Sequence, residues 1–222
     1  HATALGNGGY YVMDVTTCLQ RLQYVGVLAF ATVDNAGKPQ VRNISAIHYE
    51  LLDSAPALYF FTARGKNFCR ELLANGHVQI LAYTRYKEMI RVSARAIALP
   101  EEQQAHWIDT IFAEQPYLAN VYPGKTREIG KVFCINEGSI EYFNLGVRPI
   151  FRERYTFGTS PSAEPPKGYQ ITQACISCGT CARYCPQDCI QSGSPYQIQA
   201  EHCLHCGSCF EHCPVQAVQR LG

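Results

Sequence analysis

Residues 175–189 read CISCGTCARYCPQDC, and 28 positions later residues 203–217 read CLHCGSCFEHCPVQA. Nine of the chain's twelve cysteines fall in its last fifty positions. A chain of 222 residues can bury a core and does not need staples to fold. No leader of the secretory kind is readable, so the thiols are expected to stay reduced, which argues against a disulfide framework. Each run has the form Cys-x2-Cys-x2-Cys-x3-Cys-Pro. Two-residue gaps let three thiolates converge on one corner of a metal centre, and thiolate is a soft ligand suited to iron–sulfur clusters or zinc. Zinc is satisfied by two Cys-x2-Cys pairs. Here three cysteines come in a row, and a fourth follows three residues later with proline behind it.

That run resembles a bacterial-type 2[4Fe–4S] ferredoxin over about residues 169–220. In such ferredoxins the fourth cysteine of each run ligates the other cluster. The resemblance therefore implies Cys175, Cys178, Cys181 and Cys213 for cluster I, and Cys203, Cys206, Cys209 and Cys185 for cluster II. Cys189 stands where the second repeat has Ala217. It reads as a small buried residue, with an alternative ligand or redox thiol as the sharper option. His202, His205 and His212 flank the second cluster and read as surface or packing residues, although protonation near pH 6.5 could tune its potential. A small α+β unit of this kind should fold around its clusters.

Upstream, FGTSPSAEPPKGYQ carries three prolines, two glycines and two serines and reads as a linker over 157–169, separating units at 13–156 and 170–222. Residues 1–12 read as a vector remnant or disordered N-terminus, with Met13 a plausible native start. The front unit mixes strands with short helices. DVTTCLQRLQYVG places Val15, Cys18, Leu19 and Leu22 on one helical face, with Asp14 as N-cap and Gly26 past the end. VGVLAFATV (25–33) is an expected strand, DNAGKP a hairpin, and QVRNISAIHYE the returning strand. ALYFFTA (57–63), HVQILAYT, EMIRVSARAIAL, FCI and SIEYFNLG continue as strands, with helices at 65–76 and after Pro100. Six or seven strands with short helices suggest a small β-barrel. Cys18, Cys69 and Cys134 are isolated, apolar-flanked thiols and read as inert and buried.

The stretches FATVDNAGKPQVRNISAIHY, ALYFFTARGKNFCRELLANGHVQI and IRVSARAIAL resemble the pyridoxamine 5'-phosphate oxidase-like family of FMN-binding split β-barrels over about residues 14–146. The resemblance implies a homodimer with FMN in clefts at the subunit interface. It carries the FMN phosphate contacts onto Arg42, Thr62 and Lys66, with Arg64 and Asn67 in support, and runs the backbone of Asn43, Ile44 and Ser45 along the flavin ring. The chemistry agrees: a phosphate wants a guanidinium, an ammonium and the N–H groups of a helix start, and TARGKN supplies cations leading into a helix. There are departures. Only Arg148-Pro149 stands in for the family's longer substrate-binding C-terminal segment, which argues against B6 oxidation, and Met89 replaces a glutamine near the flavin. The family also has haem- and deazaflavin-binding members, but the phosphate-type cations favour FMN.

A formal charge of +1 and a pI near 7.6 give no steering field toward nucleic acid or membrane, and no run of 18 apolar residues exists. The expectation is a cytoplasmic, anaerobe-type iron–sulfur flavoprotein that passes single electrons from an external protein donor through the clusters to FMN and on to a small-molecule acceptor. Cluster potentials span roughly −700 to +450 mV, so the direction of flow is not readable from the motif, though low-potential clusters favour flavin reduction. A carrier module that docks between redox proteins is the alternative. A redox sensor is disfavoured because no output element is readable. His48 and Tyr49 could face the flavin as proton donors but read as packing residues.

Overall fold

The computed structural model describes residues 13–51, 55–159 and 165–222. The reading of residues 1–12 lies outside them. The chain opens with α1 (Val15–Val25), capped by the Asp14 carboxylate, which accepts from the Thr17 amide at 2.6 Å, and ended by Gly26 at φ 78°. Cys18, Leu19 and Leu22 are its buried face. Strands β1 (Leu28–Val33), β2 (Pro39–Ile44), β3 (Ile47–Glu50) and β4 (Ala57–Ala63) follow, then α2 (Asn67–Asn75). Next come β5 (His77–Tyr83), β6 (Glu88–Arg95), β7 (Ile97–Ala98), α3 (Glu101–Glu114) and the short α4 (Leu118–Val121). A 3-10 turn leads into β8 (Gly130–Ile135), β9 (Gly138–Asn144) and β10 (Phe151–Phe157).

These form a six-stranded sheet in the order β10-β9-β6-β5-β1-β2 and a four-stranded sheet in the order β3-β4-β8-β7. The two face each other across one core. Phe30 of β1 meets Phe60 of β4 with ring centroids 5.0 Å apart, and Phe60 stacks on Phe133 of β8 at 5.7 Å. Eclipsed from water, such rings contribute roughly 0.5–1.5 kcal/mol per pair beyond their buried area. The architecture is mainly β with short helices, as expected.

The strand map is richer than the sequence suggested. Ten strands build this unit instead of six or seven. QVRNISAIHYE is not one strand: the chain turns at Ser45-Ala46, so β2 joins one sheet and β3 the other. EMIRVSARAIAL breaks likewise at Ala96, whose amide bonds the Gly76 carbonyl at 2.8 Å. These two corners hand the chain from sheet to sheet and close the barrel. β10, unexpected from the sequence, pairs along the whole of β9. The helix at the start reaches Val25, so β1 begins at Leu28, three residues later than expected.

The tail holds β11 (Gly168–Ile171), α5 (Thr180–Arg183), β12 (Ile190–Gln191), β13 (Gln197–Ile198), α6 (Ser208–Glu211) and β14 (Val218–Leu221). β11 pairs with β14 and β12 with β13. β11 starts inside the stretch read as linker.

Candidate functional site

The 28-residue repeat in the sequence is repeated in the backbone. Ser177 and His205 share φ near 56–59°, Gly179 and Gly207 lie at 73° and 84°, and Asp188 and Gln216 lie at 52° and 53°. The first of these kinks in each run turns an amide back toward a preceding thiol. The Ser177 amide donates to Cys175 Sγ and the His205 amide to Cys203 Sγ, both at 3.4 Å. Tyr184 and His212, equivalent positions in the two runs, stack on each other at 3.8 Å. Gly179 and Gly207 have no room for a Cβ that would not crowd the hydroxyls of Tyr196 and Tyr169, at 3.1 and 2.8 Å. The two loops are built as a pair.

A cavity opens between Cys185 and Cys189 on one side and Cys203, Cys206 and Cys209 on the other, closed by Ile190, Ile198 and Leu204. Four of these five thiols are the set that the ferredoxin resemblance implied for cluster II. The fit is chemical as well. A cluster takes thiolates, and His205, Cys189 and Arg152 all favour that form at Cys203, which is lowered to about 6, first by Cys189 donation and against the cost of burial. Cys178 is lowered by the Thr180 hydroxyl, while burial pushes Cys209 up to about 11. Among the described residues no three His, Cys, Asp or Glu side chains converge as a single-ion site. A cubane binds each thiolate to a different iron, so its ligands stand further apart than those of one zinc ion.

Cys189 is buried, with its Sγ 3.5 Å from that of Cys185, and it keeps its proton because it donates toward Cys203. It lines the cavity, as a packing residue of the tail's core. Its counterpart Ala217 is equally buried, and the Ala217 amide donates to Cys213 Sγ at 3.2 Å. His212 stacks and His202 packs as expected. His205 is half-buried, and burial followed by Arg152 lowers it below the ordinary imidazole range.

In the front unit the expected phosphate residues are only partly brought together. Arg42 faces inward, opposite Phe30 across the ladder. Its guanidinium lies 4.6 Å from the ring of Phe68 in the first turn of α2, where it bonds Thr32 and pairs with the buried Glu71 at 2.8 Å. Lys66 is the exposed N-cap residue of α2. Thr62 is buried in β4, and Arg64 turns away to the carbonyls of Glu128 and Gly130 at 2.7 and 2.9 Å. Asn67 is exposed and accepts from Arg70. Arg42, already engaged by Glu71 and Thr32, reaches the first turn of α2 at Phe68, and Lys66 is the residue that opens that helix, whose N-terminal amides suit an anion. Thr62 and Arg64 do not reach it here. Asn43 is exposed on the outer face of β2, Ile44 packs on the core, and Ser45 bonds the Tyr117 hydroxyl at 2.5 Å. Tyr49 is buried in the core, and His48 is held between Glu114 and Glu50 at 2.7 and 3.1 Å, so both pack. Cys18, Cys69 and Cys134 are buried, and burial raises all three, Cys18 to about 12. They are inert.

Residues 16–133, more than half of the chain, match the family described as pyridoxamine 5'-phosphate oxidase. The chain belongs to the pyridoxamine 5'-phosphate oxidase family. Residues 174–217 match the 4Fe-4S dicluster domain. A ferredoxin from Butyribacterium methylotrophicum is 53% identical over 30 residues, which is 14% of this chain and 54% of that protein, so the match spans about half of that ferredoxin. Among solved structures, a NimC/NimA family protein from Clostridium acetobutylicum is 19% identical over 63% of this chain and 90% of its own, with a TM-score of 0.49. An FMN-binding, pyridoxamine 5'-phosphate oxidase-related protein from Nostoc punctiforme is 18% identical over 64% and 91%, with a TM-score of 0.45. No helix among the described residues is long and apolar enough to cross a membrane.

The sequence reading missed the charged cluster on β10. Glu141 of β9 is shared by Arg91 at 3.5 Å, Arg152 at 3.5 Å and Arg154 at 3.0 Å. The alternation in FRERY was the available signal.

Proposed function

We propose that this chain is an iron–sulfur flavoprotein reductase, cytoplasmic and homodimeric, fed by an external one-electron donor protein. Bound together, two [4Fe–4S] clusters and FMN would convert single electrons into the two-electron reduction of a small-molecule acceptor. The observation that carries the reading is the cavity that gathers Cys185 with Cys203, Cys206 and Cys209, on a chain whose family unit offers Arg42 and Lys66 at one helix start. The chain's residues have three tasks in this account. The eight repeat cysteines hold the clusters, with backbone amides donating to their sulfurs and limiting the charge that builds there. Arg42, prealigned by Glu71 and Thr32, and Lys66 with the first amides of α2 fix the FMN phosphate. Asn43 and Ser45 border the ring.

A second copy is supported by what the six-stranded sheet leaves open. Val41, Leu81 and Tyr83 are 72%, 41% and 55% exposed on its outer face, a face of the kind partners cover. The test is steady-state turnover by anaerobically purified protein with a reduced ferredoxin-type donor and a panel of small oxidants. Saturable reoxidation by a small molecule supports a reductase. Exchange with other redox proteins alone would assign the chain as a carrier.

A further inference from the structure

The tail rests on the front unit at one end, and that end carries the second cluster's ligands. The Ile150 amide, just before β10, donates to Gln187 Oε1 at 2.8 Å, two residues after Cys185. The Ile150 carbonyl lies 2.9 Å from His202 Nδ1, next to Cys203. Phe151 meets the His202 ring at 6.4 Å, and Arg148 pairs with Asp188 at 3.6 Å. The hydrogen bonds recorded for cluster I's residues among the described residues stay within the tail: Arg183 bonds the Cys178 carbonyl at 3.4 Å and the Thr180 hydroxyl at 3.0 Å.

Arg152 of β10 stands at this junction. Its side chain is only 14% exposed, its Nε is buried with no hydrogen-bond partner, and its guanidinium lies 4.4 Å over the Phe143 ring. Glu141 is its carboxylate, but Arg91 and Arg154 share that group, so three positive charges meet one negative. The residues before Arg152 in the chain, Ile150 and Phe151, meet His202, which directly precedes the cluster II ligand Cys203. Reducing a cluster adds one negative charge, and a poorly hydrated guanidinium beside it favours that state. The cation recorded beside a cluster I ligand among the described residues is Arg183, which is exposed, so water screens its charge.

We infer that cluster II is the inner cluster, seated against β10, and that Arg152 is a positioning charge that raises its potential above that of the outer cluster I. This rests on the iron–sulfur flavoprotein reading and adds the order of transfer. A donor protein reduces cluster I, and cluster I returns to its 2+ core by passing one electron to cluster II, whose core goes from 2+ to +. No bond or proton moves. The step runs downhill toward the barrel.

The test uses the full chain with its clusters, after iron and sulfide have been counted. If the clusters are absent, the functional reading fails and the ordering is never reached. With clusters present, EPR-monitored redox titration is run on Arg152→Gln, Arg152→Lys and Arg183→Gln. Arg152→Gln should lower the reduced-to-oxidised ratio of the higher-potential cluster about tenfold at fixed potential, which is about 59 mV for one electron. Arg152→Lys should restore most of it, and Arg183→Gln should move the other couple by less. A shift of the same couple by Arg152→Gln and Arg183→Gln, or no shift with Arg152→Gln, overturns the assignment. Should Arg152→Gln not fold, wild-type protein decides the matter. A soluble dysprosium chelate must speed spin relaxation of the lower-potential cluster more than the other, and equal or reversed enhancement overturns the order.

Discussion

At Cys189 one side chain separates two loops that match in backbone conformation, and the difference is local enough to test. The thiol fills the place of a methyl group, lies 3.5 Å from Cys185 and donates toward Cys203. Eight other cysteines complete the ligand set, so Cys189→Ala should keep iron and sulfide content unchanged and cost about 1 kcal/mol of stability through the lost sulfur contact. Loss of a quarter or more of the iron would make it a ligand. Arg42 and Lys66 separate a second pair of roles. Lys66→Ala removes one charge-assisted contact to a phosphate, worth about 1.5–3 kcal/mol, so flavin affinity should fall at least tenfold with cluster iron intact. Arg42→Ala should lower it too, but it also strands the buried Glu71 carboxylate, at a cost of about 3 kcal/mol or more. Lys66 is therefore the clean variant, and unchanged flavin affinity in it would remove the phosphate site. Flavin fluorescence titration reads both.

Elements are where the sequence told least. α1, β4 and α3 were legible because their signals are local: an Asp cap with a Gly stop, an unbroken apolar run, a Pro-Glu-Glu opening. β10 was not, because Arg152 and Arg154 become strand residues only once Glu141, eleven and thirteen positions upstream, lies across the ladder. The corner at Ser45-Ala46 was hidden for a similar reason. The run stays rich in strand-forming residues through it, and pairing with two different sheets is what reveals the break. The charge cluster on β10 gives an acid test. The three arginines hold the Glu141 carboxyl below its ordinary value of 4.5 against the cost of burial. Arg152 itself moves down, because burial and neighbouring guanidiniums outweigh a shared carboxylate. A depressed carboxyl contributes stability that is complete above its unfolded value and is lost as pH falls through the folded one. Wild-type stability should therefore decline below about pH 4.5, while Glu141→Gln should be less stable at pH 7 and show a flatter decline. Chemical denaturation at pH 7, 5 and 3 checks the sign.

For the whole molecule, the two units are held together by different things. The barrel has a core of aromatic and branched side chains, whereas four of the seven buried residues in the tail's core are cysteines. Without clusters the tail has little to fold around, and its strands make only two-stranded pairs. Removing iron with a chelator under reducing conditions should make residues beyond 168 protease-sensitive while the barrel retains its thermal transition. Joint melting of both units would contradict this. The repeat and its eight-cysteine framework were legible because spacing carries them, and the family of the front unit through the resemblance of three segments. The seating of the tail was not, since it depends on Ile150, Gln187 and His202 meeting in space. Six strands at about 4.8 Å apart place β10 roughly 24 Å from β2 across the sheet.

The central claim is that this chain carries cubane clusters and a flavin together. Oxygen-free purification, followed by a visible spectrum with iron, acid-labile sulfide and flavin counted per chain, tests it most directly. The account expects brown protein with about eight irons, a similar amount of sulfide and one flavin per chain. Colourless protein, or yellow protein without iron and brown absorbance, would contradict it.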